Sequence, residues 1–310
     1  MKVSVVATAK DVGPDIHEFL ASLREQTRTP EEIVVVDGGS SDGVTVEALE
    51  RADGVTLLRE PGANIARGRN VAIRAAAHDV IAVTDADCLL SPRWLEWLIE
   101  PIEDGADVAA GFYRPLSTSF FQTCAAAVSV REPDEIRPGW MPSSRSVAFR
   151  REVFEASGGY PEWLRVGEDM YLDHALVASG ARIELAPEAV VWWRIRPTLG
   201  STWRQYAGYA EGDALAGMYP ERHLLRFATC SAAAGVLWSR RPWLVALLAV
   251  AGGAYAARPI RRAFRRLPDR YSERAAAVAA VPALMAFVDG AKMWGYGRGL
   301  ARRIARRRGR

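Results

Sequence analysis

"VTDADCLL", residues Val83–Leu90, is the stretch on which the reading of the chain turns. An apolar, β-branched run reaches two aspartates, Asp85 and Asp87, separated by a single residue. A buried strand that ends on acidic residues presents them at the carboxyl edge of its sheet, where open α/β folds bind ligands. Two carboxylates held that close repel each other unless a cation or a positive ligand lies between them. The triplet therefore reads either as a divalent-metal site or as a solvated loop.

The pattern on either side is a regular alternation. "VSVVAT" (Val3–Thr8), "EIVVVD" (Glu32–Asp37), "VTLLRE" and "VIAVTDAD" are short buried strands, and "DVAAGFYRP" continues the series. Between them, "DIHEFLASLREQ" (Asp15–Gln26) places Ile16, Phe19, Leu20 and Leu23 at helical spacing. "VEALERA", "NIARGRNVAIRAAA" (Asn64–Ala77) and "PRWLEWLIEPI" are further helices. Strand–helix alternation predicts a Rossmann-like α/β fold, a mostly parallel sheet with helices on both faces. Residues 124–139 read as less regular. "SRSVAFRREVFEASGGY" then predicts a strand and a short helix, "EDMYLDHALVASG" a helix, and "RIELAPEAVVWW" a pair of strands. The α/β body, residues 1–196, is followed by a linker or acceptor-side helix, 197–223, and by an apolar and basic helical region, 224–310.

That last region has three apolar segments, Leu224–Trp238, Trp243–Ala257 and Ala275–Val288, separated by arginine clusters. Each is shorter than the ~20 residues that comfortably span a bilayer. From Arg258 to Arg310 there are 15 Lys/Arg against 3 Asp/Glu, so the rest of the chain, with 25 against 34, is acidic although the whole carries +3. A basic tail on an acidic body points to an anionic partner. Arginines interleaved with Ala-rich apolar segments suit a membrane surface better than nucleic acid, which is not expected as a partner. Keeping every basic cluster on the cytoplasmic face of the membrane predicts a hairpin of the first two segments, with the third in the interface. The three scattered cysteines, with no CxxC spacing, fit a reducing compartment and neither a disulfide framework nor a zinc site. The opening "MKVSVVATAK" reads as a strand and not as a signal peptide.

Two further stretches carry chemistry. "VVVDGGSSDG" is a Gly/Ser/Asp loop after a strand, either a tight turn or a nucleotide site in which Asp37 accepts hydrogen bonds from a base or ribose; it has neither GxGxxG nor P-loop spacing. Glu168 and Asp169 in "RVGEDMYL" open a helix, where the dipole favours acidic residues; a carboxylate there can also serve as a general base.

In order, the strand ending in "DGGSSDG", the helix with "ARGRN", the strand ending in "DAD", then "GGY" and "GED", resemble the family-2 glycosyltransferases of the GT-A fold, over roughly Lys2–Arg196. The resemblance implies a nucleotide-diphosphate sugar donor, with Thr8 and Asp37 lining the base pocket and Arg69 and Asn70 beside the donor. It implies Asp87 as a Mg²⁺ or Mn²⁺ ligand, Asp85 on ribose or metal, and Asp169, with its neighbour Glu168, as the catalytic base. Carboxylate oxygens suit those hard cations, and a cation stabilises a departing diphosphate. "WRQYAGYAEGD" stands where processive synthases carry Gln-x-x-Arg-Trp, so transfer of one sugar to a lipid-linked or glycan acceptor is expected. The aromatics Trp192 and Trp193 are either acceptor contacts or core. Rival readings are a haloacid-dehalogenase-like phosphatase, whose DxD usually opens the domain, a sugar nucleotidyltransferase, whose Gly-rich Arg loop is missing after the first strand, and a nucleotide-sugar-binding protein without turnover.

Overall fold

The computed structural model describes residues 1–136 and 139–308, the side chains of 307 and 308 excepted. The last two residues of the basic C-terminal cluster thus lie outside the described residues. In chain order the elements are β1 (Val3–Ala9), α1 (Asp15–Arg24), β2 (Glu32–Asp37), α2 (Val44–Glu50), β3 (Val55–Arg59), α3 (Ile65–Ala75), β4 (Val80–Asp85) and β5 (Cys88–Leu90). There follow α4 (Trp94–Glu103), β6 (Val108–Leu116), α5 (Phe120–Ser129), β7 (Val147–Arg150), α6 (Arg151–Ala156), α7 (Glu168–Ala178) and β8 (Ile183–Arg194). Four helices end the chain: α8 (Leu199–Ala216), α9 (Pro220–Ser239), α10 (Pro242–Arg266) and α11 (Tyr271–Arg308). Contacts divide them into two compact units, Met1–Leu116 with Pro133–Arg194, and Ser117–Glu132 with Ile195–Arg310.

The first unit is built on one eight-stranded sheet in the order β3-β2-β1-β4-β7-β6-β8-β5. Four of its ladders are parallel and three, β4–β7, β6–β7 and β5–β8, are antiparallel. The strands covered on both faces are near-continuous apolar runs, and every residue of β4 is buried. The winding reverses at β1, which has β2 on one side and β4 on the other. Crevices in open α/β sheets form at such a reversal, beyond the strands' carboxyl ends. The register brings Thr8 beside both Val36 and Asp85, and Ala9 beside Asp37.

Close packing delivers the next helix to this edge. Asn64 caps α3, its side chain accepting from the Arg67 N–H at 2.9 Å. Gly68 lies against β1: a Cβ there would stand 2.9 Å from Thr8 Cγ2. The bare backbone thus seats α3 on the sheet one residue before Arg69.

Several expectations change. "RIELAPEAVVWW" is one strand, β8, whose pairing with β6 shifts register between Ala110 and Phe112; the break at Pro187 is absorbed without ending the strand. The segment expected to be irregular from Cys124 is helical to Ser129, because Ser119 caps α5 and its alanines pack against other helices. The second and third apolar segments belong to longer helices that run on into the basic clusters, whereas the first lies in α9, which ends at Ser239 before Arg240. In the second unit α5, α10 and α11 share a core that includes Cys124, Ala127, Ala256, Ala263, Val281 and Leu284. The third apolar segment is thus partly packed against protein.

At the register shift, a Cβ on Gly111 would lie 1.9 Å from Ser146 Oγ and 2.8 Å from the Ala189 carbonyl oxygen. Ser146 cannot move away cheaply, since it accepts from Trp94 Nε1 and donates to Ala189. Gly111→Ala is expected to destabilise the protein by about 2–3 kcal/mol. Denaturant unfolding checks this; a change under about 0.5 kcal/mol, within the usual range for a site away from packing constraints, would show that the strands relax freely.

Candidate active site

Arg69 is the centre of the site. It is fully buried, and its guanidinium donates to Glu168 Oε1 at 2.7 Å and to Asp85 Oδ1 at 2.6 Å, while packing over the Tyr160 ring at 5.2 Å. Burial opposes its charge, but Asp85 leads a set of neighbours, with Tyr160, Glu168 and Asp169, that holds it protonated. One arginine from α3 thus ties the end of β4 to the start of α7.

Asp85 stands at the last position of β4, nearly buried, and its second oxygen lies 4.0 Å from Arg145 Nε. Asp87 follows in the turn before β5, only half-buried. Arg194, at the end of β8, fixes that turn: it donates to the Asp87 carbonyl at 3.2 Å and is anchored by Asp15 and Glu18 of α1. Among the described residues no three Asp, Glu, His or Cys side chains are grouped to hold a metal ion. Asp85 and Asp87 as a pair fit a hard divalent ion brought in with phosphate oxygens, as Mg²⁺ sites commonly use one or two carboxylates plus substrate phosphates. Asp87, the more accessible carboxylate, would hold it.

Asp37 is buried at the end of β2 and accepts from the N–H groups of Gly39 and Ser40 and from the Ser40 hydroxyl. It folds the loop "DGGSSDG" back over the strand end. Thr8 is half-buried between Asp37 and Asp85 along the sheet edge. Asn70 is bonded to the loop between α6 and α7. Its amide donates to the Tyr160 carbonyl and to Glu162 Oε1 and accepts from the Tyr160 N–H, which clamps the "GGY" loop beneath Arg69.

At the start of α7, Gly167 takes a left-handed conformation at φ 83° and lets Glu168 turn inward to Arg69. Burial pushes the Glu168 carboxyl up to about 7, with Asp169 adding to the rise and Arg69 opposing it. Asp169, half-buried, accepts from the Met170 N–H at 2.9 Å. One turn further on, Asp173 is buried with one carboxylate oxygen lacking any hydrogen-bond partner. Burial and then Asp169 raise its pKa well above the ordinary carboxylate range. The sequence reading passed over Asp173, although its i+4 spacing from Asp169 was a usable signal. Tyr160 and Arg145 were passed over as site residues too, because their neighbours come from distant segments.

The site thus joins Thr8, Asp37, Arg69, Asp85, Glu168 and, beside them, Asp87 and Asp169. The glycosyl transferase family 2 model matches residues 4–123 of the chain. The chain is 28% identical over 231 residues to the succinoglycan biosynthesis protein ExoA of Rhizobium meliloti, covering 68% of this chain and 70% of that protein. It is 24% identical over 208 residues to the O-antigen chain rhamnosyltransferase RfbN of Salmonella typhimurium, 62% of this chain and 66% of that one. Residues 4–123 thus form a family-2 glycosyltransferase domain. The fold of the chain is that of the mannosyltransferase PcManGT of Pyrobaculum calidifontis, solved in complex with GDP-Man and Mn²⁺, with a TM-score of 0.61 and 23% identity over 94% of this chain and 87% of that one. This is the GT-A fold: a mixed sheet with flanking helices, followed here by an apolar helical region.

Within this glycosyltransferase, Glu168 links stability to pH. Its folded-state pKa of about 7 exceeds the ordinary 4.5, so the folded state holds the proton more tightly than the unfolded chain. The stabilisation is complete below pH 4.5 and is lost as pH rises through about 7. Thermal unfolding across that window should show wild type losing stability relative to Glu168→Gln as pH rises; parallel curves would mean that Glu168 stays ionised throughout.

Proposed function

We propose that this family-2 glycosyltransferase moves one sugar from a nucleotide-diphosphate sugar to a lipid-linked or glycan acceptor, with inversion at the anomeric carbon. The observation that carries this reading is the buried Arg69 bridge, which sets the acidic pair of α7 against the carboxylates at the end of β4. In this reading Thr8 and the Asp37 loop receive the base, Asp85 the ribose, and Asp87 a divalent ion of the Mg²⁺ or Mn²⁺ class. Such an ion, when bound, would neutralise charge on the departing diphosphate. Arg69 and Asn70 act indirectly, the first by orienting Asp85 and Glu168, the second by holding the Tyr160 loop. Asp169 takes the proton from the acceptor hydroxyl as its oxygen attacks the face of the sugar opposite the leaving group. Glu168, bound to Arg69, fixes the position of Asp169 in the first turn of α7.

The GDP-Man and Mn²⁺ of PcManGT support a nucleotide-sugar donor and a divalent ion here. The succinoglycan and O-antigen names of the relatives support a glycan or lipid-linked acceptor. In this division of labour residues 1–196 carry catalysis, 197–223 serve the acceptor side, and 224–310 bring the enzyme to the cytoplasmic face of a membrane. Two helices, Pro242–Arg266 and residues 271–306 of α11, are long and apolar enough to cross a membrane by length and composition. Only 6% of the apolar stretch of α10 is buried, against 33% in α11. At the turn between α9 and α10, Trp238 and Trp243 are 89% and 63% exposed on either side of Arg240 and Arg241. Indoles and arginines together suit the headgroup layer.

Two measurements test the reading. Asp87→Ala should lose Mn²⁺-dependent donor binding without a large fall in melting temperature. Asp169→Asn should bind donor within a few-fold of wild type but lower kcat by roughly 10²–10⁴. Turnover by Asp169→Asn at the wild-type rate would remove it as the base. For the membrane role, the double variant Trp238→Ser, Trp243→Ser should co-sediment several-fold less with phosphatidylglycerol vesicles at low salt; unchanged partitioning would remove the α9–α10 turn from the interface.

A further inference from the structure

Two groups at the edge of the site remain unassigned, and both are donors. Arg145 lies in the segment leading into β7. Its guanidinium carbon is 4.3 Å from the centroid of the Trp193 ring and 5.5 Å from that of Tyr113. One nitrogen donates to Ser143 Oγ at 2.9 Å, and Nε stands 4.0 Å from Asp85 Oδ2. The aromatic rings hold the guanidinium plane, so that little side-chain freedom is lost when it meets a ligand.

The second group is Trp193 itself. It is 4% exposed, and its indole N–H is buried with no hydrogen-bond partner. In the β5–β8 ladder Trp193 is paired with Cys88, the residue after Asp87. A buried donor left unsatisfied is destabilising unless a ligand meets it. Such a donor beside an aromatic-stacked arginine, at the turn that carries Asp87, calls for an acceptor-rich, anionic ligand.

We propose that Arg145 and the indole N–H of Trp193 form the anion-binding wall of the donor site and bind the diphosphate of the nucleotide sugar. This rests on the nucleotide-sugar reading above. In the transfer, the bond between the anomeric carbon and the β-phosphate oxygen breaks, and its electron pair stays on the diphosphate. The acceptor oxygen forms the new bond and its proton passes to Asp169. Charge therefore grows on the oxygen nearest this wall. A fixed guanidinium and a fixed N–H stabilise that charge more than the bound ground state, which places them among the groups that raise kcat as well as affinity.

Calorimetric titration of the full chain with GDP and with UDP in the presence of Mn²⁺, and ligand-observed NMR with guanosine and uridine, separate the possibilities. Wild type should bind at least one diphosphate tightly and its nucleoside weakly. Arg145→Ala should weaken diphosphate binding roughly 10–100-fold and leave nucleoside binding within about threefold. Trp193→Phe, which keeps a ring but removes the N–H, should lose about 3–10-fold for the diphosphate alone. Arg145→Lys, which keeps charge but not the planar fork, should fall between wild type and Arg145→Ala, and serves with Arg145→Gln if the alanine variant does not fold. Wild-type failure to bind either diphosphate overturns the donor reading and the inference with it. Wild-type binding with undiminished diphosphate affinity in both variants overturns the inference alone. An equal loss for diphosphate and nucleoside assigns Arg145 a purely structural role and also overturns it.

Discussion

The buried double ion pair of Arg69 is the constraint on which the site depends. A guanidinium with no access to water is tolerable only because two carboxylates meet it within 2.7 Å. Breaking such a pair by removing one partner typically costs about 3–5 kcal/mol, because a charge is then left buried alone. The pairing therefore constrains three elements at once. The third helix must sit low on the sheet, which Gly68 permits, the fourth strand must end at Asp85, and the seventh helix must begin at Glu168. Asn70, the next residue, extends the constraint to the Tyr160 loop through three hydrogen bonds.

The site's electrostatics follow from how that positive charge is shared. Asp85 and Glu168 compete for one arginine, and Asp169 adds a further negative charge beside Glu168. Burial then decides which carboxyls hold protons most readily: Glu168 and Asp173 rise, both on the α7 side of the site. On the β4 side, Asp87 sits half-buried in a turn that Arg194 holds through its backbone carbonyl. Carboxyls inclined to hold protons thus lie on the α7 side of Arg69.

The helical unit obeys a different balance. Its core is made largely of alanines and a few larger side chains from α5, α10 and α11. The outer halves of α9 and α10 contribute little to that core and display Leu225, Leu237, Trp238, Trp243, Leu247 and Val250. Exposed apolar surface of this extent marks an interaction surface in a stable protein. In the proposed membrane role, arginines at the turn and along the C-terminal half of α10 would meet lipid headgroups.

Local signals in the sequence were enough for the strands, whose β-branched runs leave little choice, for most helices, and for the carboxylates at strand ends. The ordered motifs were enough for the family and its fold. What they could not carry was pairing between distant segments. Nothing around residue 145 or 193 states that they stack on each other, since the start of β7 and the end of β8 reach the same edge only through β6, which is antiparallel to the first and parallel to the second. The clamp that Asn70 places on the Tyr160 loop was not legible either, because its partners lie 90 residues away. The helix after Ser119 looked irregular because its apolar face is satisfied by α10 and α11, more than a hundred residues later in the chain. Periodicity and caps act over a few residues and are written in the sequence. The assignment of a buried charge or an orphan donor to its partner is an energy of the assembled fold, and only the tertiary structure decides it.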